Sequence, residues 1–208
     1  MASRRAALGF RAHSGWAAMV AITGTIESPS VIDRRILQLH NPKIVGSKQP
    51  YHTGEAFPFK DAEEFISRCI AESHELAHDG LQTVIKALQQ SGYSVAGCAI
   101  LLASGRILPL LDRVLASHAM IHSAEGELYR NALIQAAARC KLTVHQVKER
   151  ELLSHAGEIL GRSENDLRTY LSHVGHSLGP PWREDQKCAT LAAWIALATR
   201  TRLPSLIE

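Results

Sequence analysis

The chain predicts an α/β fold: a mixed five-stranded sheet, in which a three-stranded antiparallel meander is followed by parallel strands, with helices on its faces. Two observations carry this expectation. Three short apolar runs between Ala6 and Leu39 are separated by turn clusters, the spacing of an antiparallel meander. Beyond them, helical periodicity alternates with short continuous apolar runs, the pattern of strands buried on both faces of a sheet.

The first run, ending at Phe10, is almost wholly apolar, as a central strand requires, and closes in the polar turn Arg11-Ala12-His13-Ser14-Gly15. Trp16 to Thr23 and Ser30 to Leu39 supply the second and third runs. Residues 40–59 are rich in Pro, Lys, Gly and Ser and predict a long loop. From Lys60 to Gln90 the apolar positions Phe65, Ile66, Cys69, Ile70, Leu76, Ala77, Leu81, Val84, Ile85 and Leu88 recur at helical spacing, and Ser91-Gly92 ends the helix. Ser94 to Ala103 is a continuous apolar run, the fourth strand. A right-handed crossover from the long helix sets it beside the first strand and parallel to it. Helices are expected over 107–120, 125–140, 149–161, 163–174 and 184–200, with a fifth strand at Leu142 to Val147. A Gly/Pro turn is expected over 176–181.

At 208 residues the chain has ample length for a core, and one domain spanning 1–208 is the expectation. The cysteines Cys69, Cys98, Cys140 and Cys188 are widely spaced with no C-x-x-C pair, which argues for reduced thiols in a cytoplasmic protein. Arg11 and His13 interrupt the apolar stretch that an amino-terminal targeting peptide needs. No apolar run approaches the ~20 residues of a membrane span, so no membrane partner is expected. A net charge of +3 permits a nucleic-acid partner without requiring one.

The order of elements, with G-F-R-A-H-S-G-W-A-A-M-V-A near the start and D-Q-K-C-A-T-L-A-A-W-I-A-L near the end, resembles the ribonuclease H-like superfamily, and within it the RuvC-type Holliday-junction resolvases. The resemblance implies phosphodiester cleavage by two Mg²⁺ ions held by carboxylates, the hard ligands that ion takes. It also implies an aspartate ending the first strand, an acid ending the fourth, and one or two aspartates opening the last helix. Here Arg11 stands at the first position and Leu102-Ala103-Ser104 at the second. Asp185 matches the first aspartate of the helix, and Cys188 stands at the second. A guanidinium keeps its proton and repels a divalent ion. The resemblance therefore implies a member degenerate at the metal site.

Four constellations follow from the residues. His74-Glu75-Leu76-Ala77-His78 is an H-E-x-x-H that on a helix presents two imidazoles to Zn²⁺ with a glutamate as base, as in zincin metalloproteases. No third ligand follows, and 11 histidines make coincidence easy, so the residues favour no metal here. His118, His122 and Glu125 share a face if one helix runs through them; S-A-E-G-E from Ser123 instead reads as a new helix start, and that reading is preferred. Ser104-Gly105-Arg106 offers backbone N–H groups and a cation to an anion. With Arg11, His13 and Ser14 it would make an anion-binding pocket at the sheet edge; an ordinary turn with a solvated arginine is the plainer reading. Lastly, Asp185, Glu184, Glu125 and Glu127 are the acids a nuclease with relocated carboxylates would use.

Arg11 ends a buried strand and needs a counter-charge. The resemblance sets Asp185 against that strand end and makes it the preferred one; a bound phosphate is the other. The leading expectation is a ribonuclease H-like domain that binds an anionic partner, nucleic acid among them, without the full metal site. The alternatives are a Mg²⁺ or Zn²⁺ hydrolase and a non-catalytic scaffold or protein-interaction module.

Overall fold

A computed structural model describes residues 3–103 and 107–199. Strands β1 (Arg4–His13), β2 (Trp16–Gly24) and β3 (Pro29–Gln38) form the antiparallel meander. The long helix α2 (Phe59–Gln90) returns the chain to β4 (Tyr93–Leu102), which pairs parallel to β1, and β5 (Thr143–Lys148) pairs parallel to β4. The sheet order is β3-β2-β1-β4-β5, the mixed sheet that the alternation of runs predicts.

The centre of the sheet forms because Ala6 to Phe10 and Ala17 to Ile22 can lie dry on both faces. Phe10 pairs with Ile100, and Leu8 with Cys98. Leu8, Phe10 and Ile100 face α2 and α4 (His118–Arg139). Ala7, Ala99 and Leu101 face α5 (Leu152–Leu160), α6 (Glu164–Leu178) and α7 (Glu184–Thr199) on the other side.

The tightest join is between β1 and α7. At Gly9 an added Cβ would stand 1.9 Å from the carbonyl oxygen of Ala189 and 2.5 Å from the backbone nitrogen of Ala193. Only glycine permits that approach. Eleven consecutive residues of α7, Cys188 to Ala198, are buried. The helix is enclosed by the sheet on one side and α5 on the other. The Ser14-Gly15 turn between β1 and β2 uses a left-handed Gly15 (φ +82°), which a side chain would disfavour.

Four expectations need correction. The predicted loop over residues 40–59 contains a short helix, α1 (Pro50–Gly54), and Tyr129 secures the segment before it by donating to the carbonyls of Ser47 and Lys48 (each 2.9 Å). Residues 107–120 do not form one helix: Pro109 biases its predecessor away from helix, and α3 (Leu111–Leu115) is separated from the start of α4 by the extended Ser117. Nor does a helix begin at Ser123. Helix α4 runs unbroken from His118, and the Ser123 hydroxyl donates back to the carbonyl of Ala119 (3.0 Å). The Gly/Pro turn is also shorter than expected, because α6 continues to Leu178.

Candidate functional site

Along β1, residues 7, 9, 11 and 13 share the face that meets α7, because side chains alternate in a strand. Ala7 and Gly9 lie under the helix. Arg11 and His13 come next, where the strand leaves the core, and they meet the first turn of α7. The Arg11 guanidinium donates through Nη1 to Oδ1 of Asp185 (2.8 Å) and through Nη2 to Oε1 of Glu149 (2.6 Å). His13 Nε2 reaches the same Asp185 oxygen (2.7 Å), and its ring stacks on Trp16 at 4.3 Å between centroids. Glu149 directly follows β5, so the ends of β1, β5 and the start of α7 converge on one cation.

Burial alone would lower the Arg11 pKa, but the carboxylates of Glu149 and then Asp185 outweigh it, and the guanidinium is held above its ordinary value. Cys188 sits beneath, its Sγ donating to Oε1 of Glu184 (3.5 Å). Burial and then the charge of Glu184 push its thiol up to about 12, so it stays protonated at neutral pH beside these carboxylates. Beside the cluster opens a cleft of about 300 Å³ lined by Arg11, Arg150, Arg168 and Lys187 together with Glu149 and Glu184.

Among the other residues singled out in the sequence, Ser14 occupies the hairpin turn after His13. Ser104 and Arg106 lie outside the described residues. Glu125 and Glu127 are on α4, across the sheet from α7, so they do not join Asp185 in a relocated carboxylate set. Glu127 pairs with Arg130 (3.4 Å). Glu75 of the H-E-x-x-H is turned to Arg139, which holds both its oxygens (2.7 and 3.1 Å). His78 contacts Gln82 (3.2 Å). Among the described residues, neither histidine of that motif belongs to a three-ligand cluster.

Two residues escaped the sequence. Glu149 was readable in principle, as an acid directly after a parallel strand, where polar groups of open α/β sheets gather. His52 carries no spacing signal. It meets His118 and His122 only because α1 docks on α4, where the buried Glu125 Oε1 accepts from the backbone N–H groups of Tyr51 (2.9 Å) and His52 (3.1 Å) and from His52 Nδ1 (3.2 Å).

No family model matches the sequence, and no curated protein matches it. Solved structures do. The T. thermophilus RuvC in complex with a Holliday junction substrate superposes with a TM-score of 0.51 at 8% identity, over 96% of this chain and 97% of that one. A second Thermus thermophilus RuvC structure gives 0.49 at 9% identity, over 94% and 96%. The shared feature is the architecture: this chain has a RuvC-like, ribonuclease H-like fold.

Proposed function

We propose that this chain is a nucleic-acid-binding ribonuclease H-like domain that holds its ligand without the two-metal chemistry of the resolvases it resembles. The observation that carries this reading is Arg11. A divalent pair needs free carboxylate oxygens converging from several elements. At this strand end the one matching carboxylate, Asp185, spends Oδ1 on Arg11 and His13, and the guanidinium occupies the space between Asp185 and Glu149. Cys188, at the second helix position, is a buried protonated thiol. Such a donor set does not fit Mg²⁺.

Arg11 is neutralised where it stands and is no anion site by itself. The cations left to meet a phosphate backbone are those of the adjoining cleft: Lys187, Arg168 and Arg150. Among the described residues Arg150 and Arg168 pair with exposed Glu151 and Glu164 (3.2 and 3.9 Å), contacts weak enough to exchange for phosphates. The T. thermophilus RuvC was solved with a Holliday junction, which makes branched DNA the first ligand to try.

The test is fluorescence anisotropy with labelled duplex and four-way-junction DNA in the presence of EDTA. Binding is expected without metal and should weaken steeply as salt rises. Replacing Lys187 and Arg168 together by Glu should abolish it with no loss of fold. Absence of binding to either DNA at low salt, or binding unchanged in the double variant, would refute the proposal.

A further inference from the structure

We propose that His52, His118 and His122 form a site for one divalent d-block cation, Zn²⁺ foremost, with Glu125 as the carboxylate that orients His52. This goes beyond the strand-end reading and is independent of it, since the cluster lies on the other side of the sheet.

Because α4 is continuous, His118 and His122 stand one turn apart on one face, and their Nε2 atoms are 3.1 Å from each other. Ligand nitrogens around a tetrahedral zinc ion at ~2.0–2.1 Å are about 3.3 Å apart. The pair is therefore already spaced as a chelate. His52 approaches from α1. One ring nitrogen of each histidine lies within 4.8 Å of the others, and the rings meet edge to face at 4.5, 4.7 and 5.4 Å between centroids. A modest ring reorientation closes the triangle on an ion.

The support behind His52 is what distinguishes this cluster from chance surface histidines. Glu125 is 2% exposed. Two backbone N–H groups fix its Oε1, and the same oxygen faces His52 Nδ1. That contact places the Nδ1 proton toward the carboxylate and leaves Nε2 free as a ligand, the arrangement found behind metal-bound histidines. Glu125 Oε2 is buried with no hydrogen-bond partner. No Lys or Arg pairs with this carboxylate among the described residues. A cation bound through His52 supplies the counter-charge that it lacks.

His118 and His122 are exposed, so an ion has access and a fourth position faces solvent. Three imidazoles without a thiolate select zinc and its neighbours over Mg²⁺ or Ca²⁺.

The experiment is a Zn²⁺ titration of the full chain, stripped with chelator, followed by calorimetry and by metal content after desalting. One equivalent is expected. His118→Ala and His122→Ala, both at exposed positions, should each remove it. Glu125→Gln should weaken it by the roughly 10–100-fold of a lost outer-shell carboxylate. Co²⁺ in place of zinc should give the visible bands of a tetrahedral site in the parent and not in His118→Ala. His74→Ala should change nothing. No stoichiometric zinc binding, or binding that survives both His118→Ala and His122→Ala, overturns the proposal.

Discussion

Arg11 is the residue on which the strand end turns. It is part-buried, and its two nitrogens hold Asp185 and Glu149 against each other. Removing it leaves two carboxylates facing one another with their counter-charge gone. Arg11→Ala should therefore cost roughly 2–4 kcal/mol, between the ~1 of an exposed ion pair and the ~3–5 of a broken buried one. Urea denaturation checks this; a loss below about 0.5 kcal/mol, typical of a surface pair, contradicts it. Glu125 makes a different prediction. Burial raises its pKa above 4.5, only partly offset by the N–H groups and imidazole that it accepts from. The folded chain then keeps a proton at pH values where the unfolded chain has lost it. That contribution is full below the unfolded value and is lost as pH rises through the folded one. With chelator present, the stability of the parent relative to Glu125→Gln should improve as pH falls from neutral toward 4.5. Denaturant midpoints across that range test it, and the opposite slope would refute it. The Arg11–Asp185 contact was legible in the sequence, because a charged residue ending an apolar strand must find a partner, and the resemblance to the ribonuclease H-like superfamily sets Asp185 against that strand end. His52 was not, because nothing local ties it to α4; only the docking of a short helix does.

At the scale of elements, periodicity gave the long helices and the buried strands, and it failed where local chemistry competes with pattern. Ser123 looks like a helix cap, yet it lies inside α4, since Ile121, Ala124 and Leu128 are buried along the helix on both sides of it. Residues 50–54 look like loop, yet the buried faces of Pro50 and Gly54 fold them onto α2, with Gly54 close to Ile66. The β1–α7 join offers a clean test. Gly9→Ala drives a methyl group into the backbone of α7 at Ala189 and Ala193 and should cost about 3 kcal/mol or more, as overpacking against rigid backbone does. A melting temperature unchanged from the parent would show that α7 does not lie where it is described. The α6–α7 turn offers another. Arg34 donates to the carbonyls of Leu178, Gly179 and Pro181 (2.9, 2.7 and 2.8 Å), a fork that one ammonium cannot reproduce. Arg34→Lys should increase proteolytic cleavage at residues 178–183 almost as much as Arg34→Ala does. Protection equal to the parent's would count against that role.

At the scale of the whole molecule, strand order followed from few facts: a meander needs adjacent antiparallel strands, and a right-handed crossover through a long helix sets β4 beside β1. Ligand chemistry was less legible, because the residues that match the resolvase pattern are mostly replaced, and the cleft cations Arg150, Arg168 and Lys187 are scattered in sequence. The central proposal is that this chain binds nucleic acid through the cleft cations, with an arginine–carboxylate cluster standing where the resemblance to the resolvases implies metal ions. The most direct measurement is single-turnover incubation of labelled four-way-junction DNA with excess protein, with Mg²⁺ or Mn²⁺ and with EDTA, reading retention on a native gel and strand integrity on a denaturing one. The account predicts a retained junction in all three conditions and intact strands in all three. Strand cleavage that requires the metal and disappears in Asp185→Asn would contradict it.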